Sequence, residues 1–95
     1  MLISKDNQVI REKILDLERR IEEMHLNFQK YSQGIESRRP DVEIMERELL
    51  NFSRKRIFDL ELSKQLDRVL FKFQNRKRIW LRWTEDIQRA GARDH

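Results

Sequence analysis

The chain has 95 residues, of which 40% are charged and 38% apolar, with two glycines, one proline, no cysteine and a net charge of +4. Turn residues are too few for a sandwich, barrel or α/β fold, disulfides and thiolate metal sites are excluded, and no apolar run is long enough to span a membrane. The apolar residues are periodic rather than sparse, which separates the chain from a disordered one and predicts a single all-α domain.

The first predicted helix covers about residues 5–33. Ile10, Ile14, Leu17, Ile21, Met24, Phe28, Tyr31 and Ile35 recur at alternating spacings of four and three. That alternation averages 3.5, the repeat of a left-handed coiled coil, and it requires a partner surface along its length. Asn7 stands at the head of the same seam. A buried Asn there fixes register and favours a parallel pair, with Asp6–Arg11 and Lys13–Glu18 as cross-helix contacts. The competing reading of Asn7 is a frayed first turn that specifies nothing.

A break follows at 34–39. Gly34 suits the left-handed position that ends a helix. Pro40 suits the first position of a new one, and Asp41 and Glu43 put negative charge on the positive end of its dipole.

The second predicted helix covers about residues 40–90, since neither Gly nor Pro occurs between Asp41 and Ala90. Its length would be roughly 75 Å. Val42, Met45, Leu49 and Phe52 begin a seam that then meets Arg56, Asp59 and Ser63, and resumes at Leu66, Leu70, Phe73, Trp80 and Ile87. The alternative is a three-helix bundle with a break near 51–56, capped by Ser53. Arg54, Lys55 and Arg56 weigh against it, because cations suit a helix's first turn poorly. The expected fold is therefore an antiparallel helical hairpin or coiled coil with a long second helix, assembled into a multi-helix bundle. A hairpin turning at 34–39 covers the second helix only to about residue 70. The aromatic remainder would be an exposed patch that a partner must bury.

This geometry points to a non-catalytic coiled-coil assembly module. It would act as a scaffold or adaptor that oligomerises with itself or with another coiled-coil protein through Ile14, Leu17, Ile21, Met24, Phe28, Tyr31, Leu66, Phe73, Trp80, Trp83 and Ile87. The runner-up is a basic nucleic-acid-binding module. Residues 71–95 carry seven Lys/Arg against three Asp/Glu. The triplets Arg54-Lys55-Arg56 and Arg76-Lys77-Arg78 would lie on one helix face about 33 Å apart, suited to phosphates beside stacking aromatics. A weaker reading is a helical chaperone or cofactor that masks a client helix. An anionic membrane surface is the least favoured partner.

Residues 9–52, with Glu46, Glu48, Leu49 and Leu50, resemble the opening of a BAG-type chaperone-cofactor domain. The Arg-rich segment such a domain carries next stands well downstream here, at Arg76-Lys77, so the resemblance assigns no functional residue. His25 and His95 lack metal-spaced partners, and no phosphate loop or activated nucleophile is evident. No metal, cofactor or catalytic residue is expected. An N-terminus interrupted by Lys5, Asp6 and Asn7 does not read as a signal peptide, so the expected location is intracellular, cytoplasmic or nuclear.

Overall fold

A computed structural model describes residues 2–93, with side chains over residues 6–91. The protein is all-helical, with α1 at Leu2–Ser32, α2 at Val42–Ser53 and α3 at Leu60–Arg93. Together they form a rod of 62 × 18 × 17 Å.

The first break is built as its sequence dictates. Gly34 takes φ +77°, a conformation that costs a Cβ-bearing residue about 1 kcal/mol. The Ile35 N–H donates to the Lys30 carbonyl at 2.9 Å and the Gly34 N–H to that of Tyr31 at 3.2 Å. This is the Schellman pairing that satisfies the last carbonyls of a helix. Asp41, not Pro40, begins the next element. Its carboxylate accepts from the Ile44 N–H at 3.4 Å, so it is the N-cap of α2 and Pro40 lies just outside the helix.

The continuous second helix does not exist. It is interrupted at 54–59, the alternative that the Arg54–Arg56 triplet had seemed to oppose. Those cations fall in the link rather than in a first turn, so no dipole penalty arises. Ser53 does not cap a new helix either. Its hydroxyl donates back to the Leu50 carbonyl at 2.7 Å, within α2. The cap of α3 is Asp59, whose Oδ1 accepts from the Leu62 N–H at 3.0 Å.

The break is favourable because of what it allows α3 to bury. Interrupting a helix forgoes a few backbone hydrogen bonds, each worth about 1 kcal/mol net. Folding back covers Leu62, Leu66, Val69, Phe73 and Trp80, and each large apolar side chain contributes about 1.5–3 kcal/mol. The seam residues Arg56 and Asp59, which interrupt the apolar repeat, lie in the link where they need no burial.

The three helices run up, down and up. Glu18 of α1 meets Lys72 of α3, Glu22 meets Arg76, and Phe28 meets Trp80. The numbers rise together, so α1 and α3 are parallel. Arg20 meets Glu48 of α2, while Asn27 lies beside Asp41 and Glu43, so α2 is antiparallel to both. With 12 residues against 31 and 34, α2 covers only the middle of the α1–α3 pair. Its Val42, Met45, Leu49 and Phe52 complete the core there.

Candidate interaction surface

The seam predicted to receive a partner is occupied by the chain itself. Ile14, Leu17, Ile21, Phe28, Leu66, Phe73 and Trp80 are buried together in one core, and Met24, Tyr31 and Trp83 pack partly buried against it. Ile87 is half-buried and lines a shallow groove with Ser32, Trp83, Asp86 and Ala90. The expected aromatic overhang beyond residue 70 is therefore mostly removed. Once the chain turns at 54–59, α3 lies along α1 and Phe73, Trp80 and Trp83 pack into the shared core, while Phe71 stays outside it. The eleven residues proposed as a partner interface are, in this arrangement, mainly the internal contact surface of the unit.

Trp80 is the centre of that surface, with no exposed area. Its indole stacks on Phe28 with centroids 5.0 Å apart and planes within 5°, and meets Phe73 edge-on at 5.9 Å. Its Nε1–H donates to Nδ1 of His25 at 3.0 Å, so the ring's proton resides on Nε2. Burial holds His25 below its ordinary pKa, and the positive charge of Arg76 adds to the effect, against an opposing pull from Glu22. Sequence alone assigned His25 no role, only a lack of metal-spaced partners. Its role was hidden because the partner stands 55 positions away.

The two basic triplets do not share a helix face. Arg54, Lys55 and Arg56 are exposed in the link, whereas Arg76 and Lys77 are half-buried and turned toward carboxylates. Arg76 reaches Glu22 at 3.5 Å, and Lys77 pairs with Glu46 of α2. Lys72, on the same side of α3 as Arg76, also pairs with Glu22. Its hydrogen bond to Glu22 is the chief cause that depresses that carboxyl's pKa, with the charges of Lys72 and Arg76 adding to it against the effect of burial. Among the described residues, no ion pair involves Arg54, Lys55, Arg56 or Arg78. The fold thus sorts its cations. Those facing a neighbouring helix are neutralised, and those in the link or on the outer face of α3 remain available.

Apolar side chains left outside the core are the second part of the surface. Phe58 is 87% exposed and Phe71 69%. Phe58 borders a cleft of about 630 Å³ between the link and the start of α1, lined also by Asp6, Asn7, Val9, Ile10, Lys55, Arg56 and Asp59. Within it Asn7 donates to Oδ2 of Asp59 at 3.5 Å. Asn7 is therefore tied to the cap of α3 in its own chain. A second cleft, of about 650 Å³, lies beside the first break among Asn27, Glu36, Arg38, Arg39, Pro40, Asp41 and Glu43. Arg39 is already paired with Glu43 there, at 2.9 Å.

Sequence reasoning missed the link site. Phe58 fits neither seam, and that misfit was the available signal. Asp59 followed by Glu61 was the signal for the cap. Among the described residues, no three His, Asp or Glu side chains come together in a way that would hold a metal ion, and no helix is long and apolar enough to cross a membrane. Compared with family models, with curated proteins and with solved structures, the chain matches none.

Proposed function

We propose that this chain is a non-catalytic helical interaction module, a pre-folded three-helix unit that joins another protein or a second copy through its outer surface. The observation that carries the reading is the contrast between Trp80, fully buried, and Phe58 and Phe71, at 87% and 69% exposure. A core already filled leaves these rings outside, and exposed aromatics beside arginines are common anchors of protein interfaces. The clefts are open to solvent, the one beside the first break lined mainly by charged side chains and the one at the link by a mixture of apolar and charged ones. This suits a contact surface better than the enclosed pocket that catalysis needs.

Solution mass is the test, measured by light scattering at low and at high salt with the unaltered chain and with Phe71→Ser. Self-association that persists at both salts and weakens in the variant supports assembly through the outer face of α3. A monomer under all conditions moves the reading to a different protein as partner. Failure to capture any protein ligand from a displayed-peptide library would then end it.

One observation favours a second reading. Arg54, Lys55 and Arg56 are consecutive, exposed and outside any ion pair among the described residues, as a phosphate-binding segment would be. Nucleic-acid binding that falls steeply with salt, and that is lost on reversing these charges, would support it.

A further inference from the structure

We infer that the cleft between the link and α1 is a docking site for an acidic protein segment that carries a large apolar side chain. The inference rests on the interaction-module reading and deepens it by naming the site and the chemistry of its partner.

The site combines three features. The first is shape. The cleft of about 630 Å³ is open to solvent and walled by Val9, Ile10 and Phe58. Its volume would admit several apolar side chains, but its open side would leave part of any occupant in solvent. The second is the state of its walls. Val9 is 65% exposed and Phe58 is 87% exposed. Neither contributes to the core, so both keep apolar area that no side chain covers among the described residues. The third is charge. Lys55 and Arg56 border the cleft with Arg54 beside them, all exposed and outside any ion pair among the described residues, the Lys55 ammonium lying 5.4 Å from the centre of the Phe52 ring. Two carboxylates, Asp6 and Asp59, also line the cleft. Asp59 is held by the Leu62 and Asn7 N–H groups, and the three consecutive cations outnumber the pair. Carboxylates on an incoming segment would meet the cationic rim while its apolar side chain enters beside Phe58, a pairing that sets partner choice and association rate.

The same features favour a peptide over the other anionic partners. A bilayer surface is flat and would leave the concave cleft unfilled. A nucleic acid would find one short cationic run and a single exposed ring, without the successive stacking platforms that single strands use. A segment of protein satisfies the concavity, the apolar walls and the cations together.

The experiment is a titration of the isotopically labelled full chain, followed by amide NMR. The probe is a synthetic peptide in which leucines are spaced among glutamates. Controls are the same peptide with lysines for glutamates, one with serines for leucines, vesicles of phosphatidylserine, and a single-stranded oligonucleotide. The expected result is shifts confined to residues 6–10 and 54–60, lost with either altered peptide. Affinity should fall about tenfold or more in Lys55→Glu/Arg56→Glu and in Phe58→Ser, in the range typical of interface anchors, with helicity unchanged. These side chains are exposed, so neither variant threatens the fold. Shifts elsewhere, no shifts, or binding only to the vesicles or the oligonucleotide would overturn the inference. In the first case the interaction-module reading survives at a different face, and in the last it falls too.

Discussion

The indole of Trp80 and the imidazole of His25 are joined by a 3.0 Å hydrogen bond in which Nδ1 of the histidine is the acceptor. That bond exists only while His25 is neutral. Its pKa is held below the ordinary 6.5, first by burial and then by Arg76. In the unfolded chain His25 takes up its proton at about that ordinary value, while in the folded chain it resists. The unfolded state therefore binds more protons as pH falls below about 6.5, and stability falls with it. Denaturant midpoints measured from pH 8 downward should be flat and then decline from near pH 6.5. His25→Leu should lack that first decline. A second loss belongs to Glu22, whose pKa lies below the usual 4.5. Its contribution is present above that value and disappears as pH falls through it and below.

Trp80→Ala should be the most damaging single truncation at the α1–α3 contact. It removes the stack on Phe28 and leaves a cavity in a region without solvent access, for a cost of about 3–5 kcal/mol. Arg78→Ala, on the exposed side of the same helix, should stay within about 0.5 kcal/mol. Thermal melts of the two variants decide this. Similar midpoints would mean that the aromatic cluster is not the centre of the fold.

Asp59→Ala should loosen the start of α3 by about 1 kcal/mol, the usual value of an N-cap. Hydrogen exchange would show it as faster exchange at Leu62, whose amide donates to the Asp59 carboxylate. The change should be smaller at Ser63, whose amide donates to the Asp59 main-chain carbonyl that alanine keeps. Ser53→Ala should leave those amides unchanged, because its hydroxyl serves α2.

Gly34→Ala should cost about 1 kcal/mol through the positive φ alone, since no atom lies within 4 Å of where its Cβ would stand. A measured cost near zero would show that the end of α1 can rearrange without its left-handed turn.

Glu46 and Lys77 are each about a quarter exposed, at 27% and 28%, and tie α2 to α3. A double-mutant cycle on the pair should return a coupling of about 0.5–1 kcal/mol, diminished by salt. No coupling would leave α2 held by its apolar face alone.

These results bear on what the residues could and could not announce. The seam from Ile10 to Tyr31 was legible because its period is strict, and the end of α1 was legible because Gly34 has one conformational use. The second break was harder to read. It contains neither Gly nor Pro, and its cap, Asp59, stands where a continued seam would also expect a misfit. Treating 40–90 as one rod moved Trp80, Trp83 and Ile87 off the end of the hairpin and created a partner-seeking face that the folded chain does not have. The link surface was illegible for a related reason. Val9 and Phe58 are almost fifty positions apart, and only the turn at 54–59 brings them to one cleft.

The parallel course of α1 and α3 has a mechanical consequence. The first residues of α1 and the last residues of α3 lie at opposite ends of the rod. A pull applied between those ends would slide α3 lengthwise past α1 instead of peeling one from the other. Sliding loads Glu18–Lys72, Glu22–Arg76 and Phe28–Trp80 at once, whereas peeling would break them in turn. In that geometry the α1–α3 contact is loaded in shear, in the way that a lap joint is.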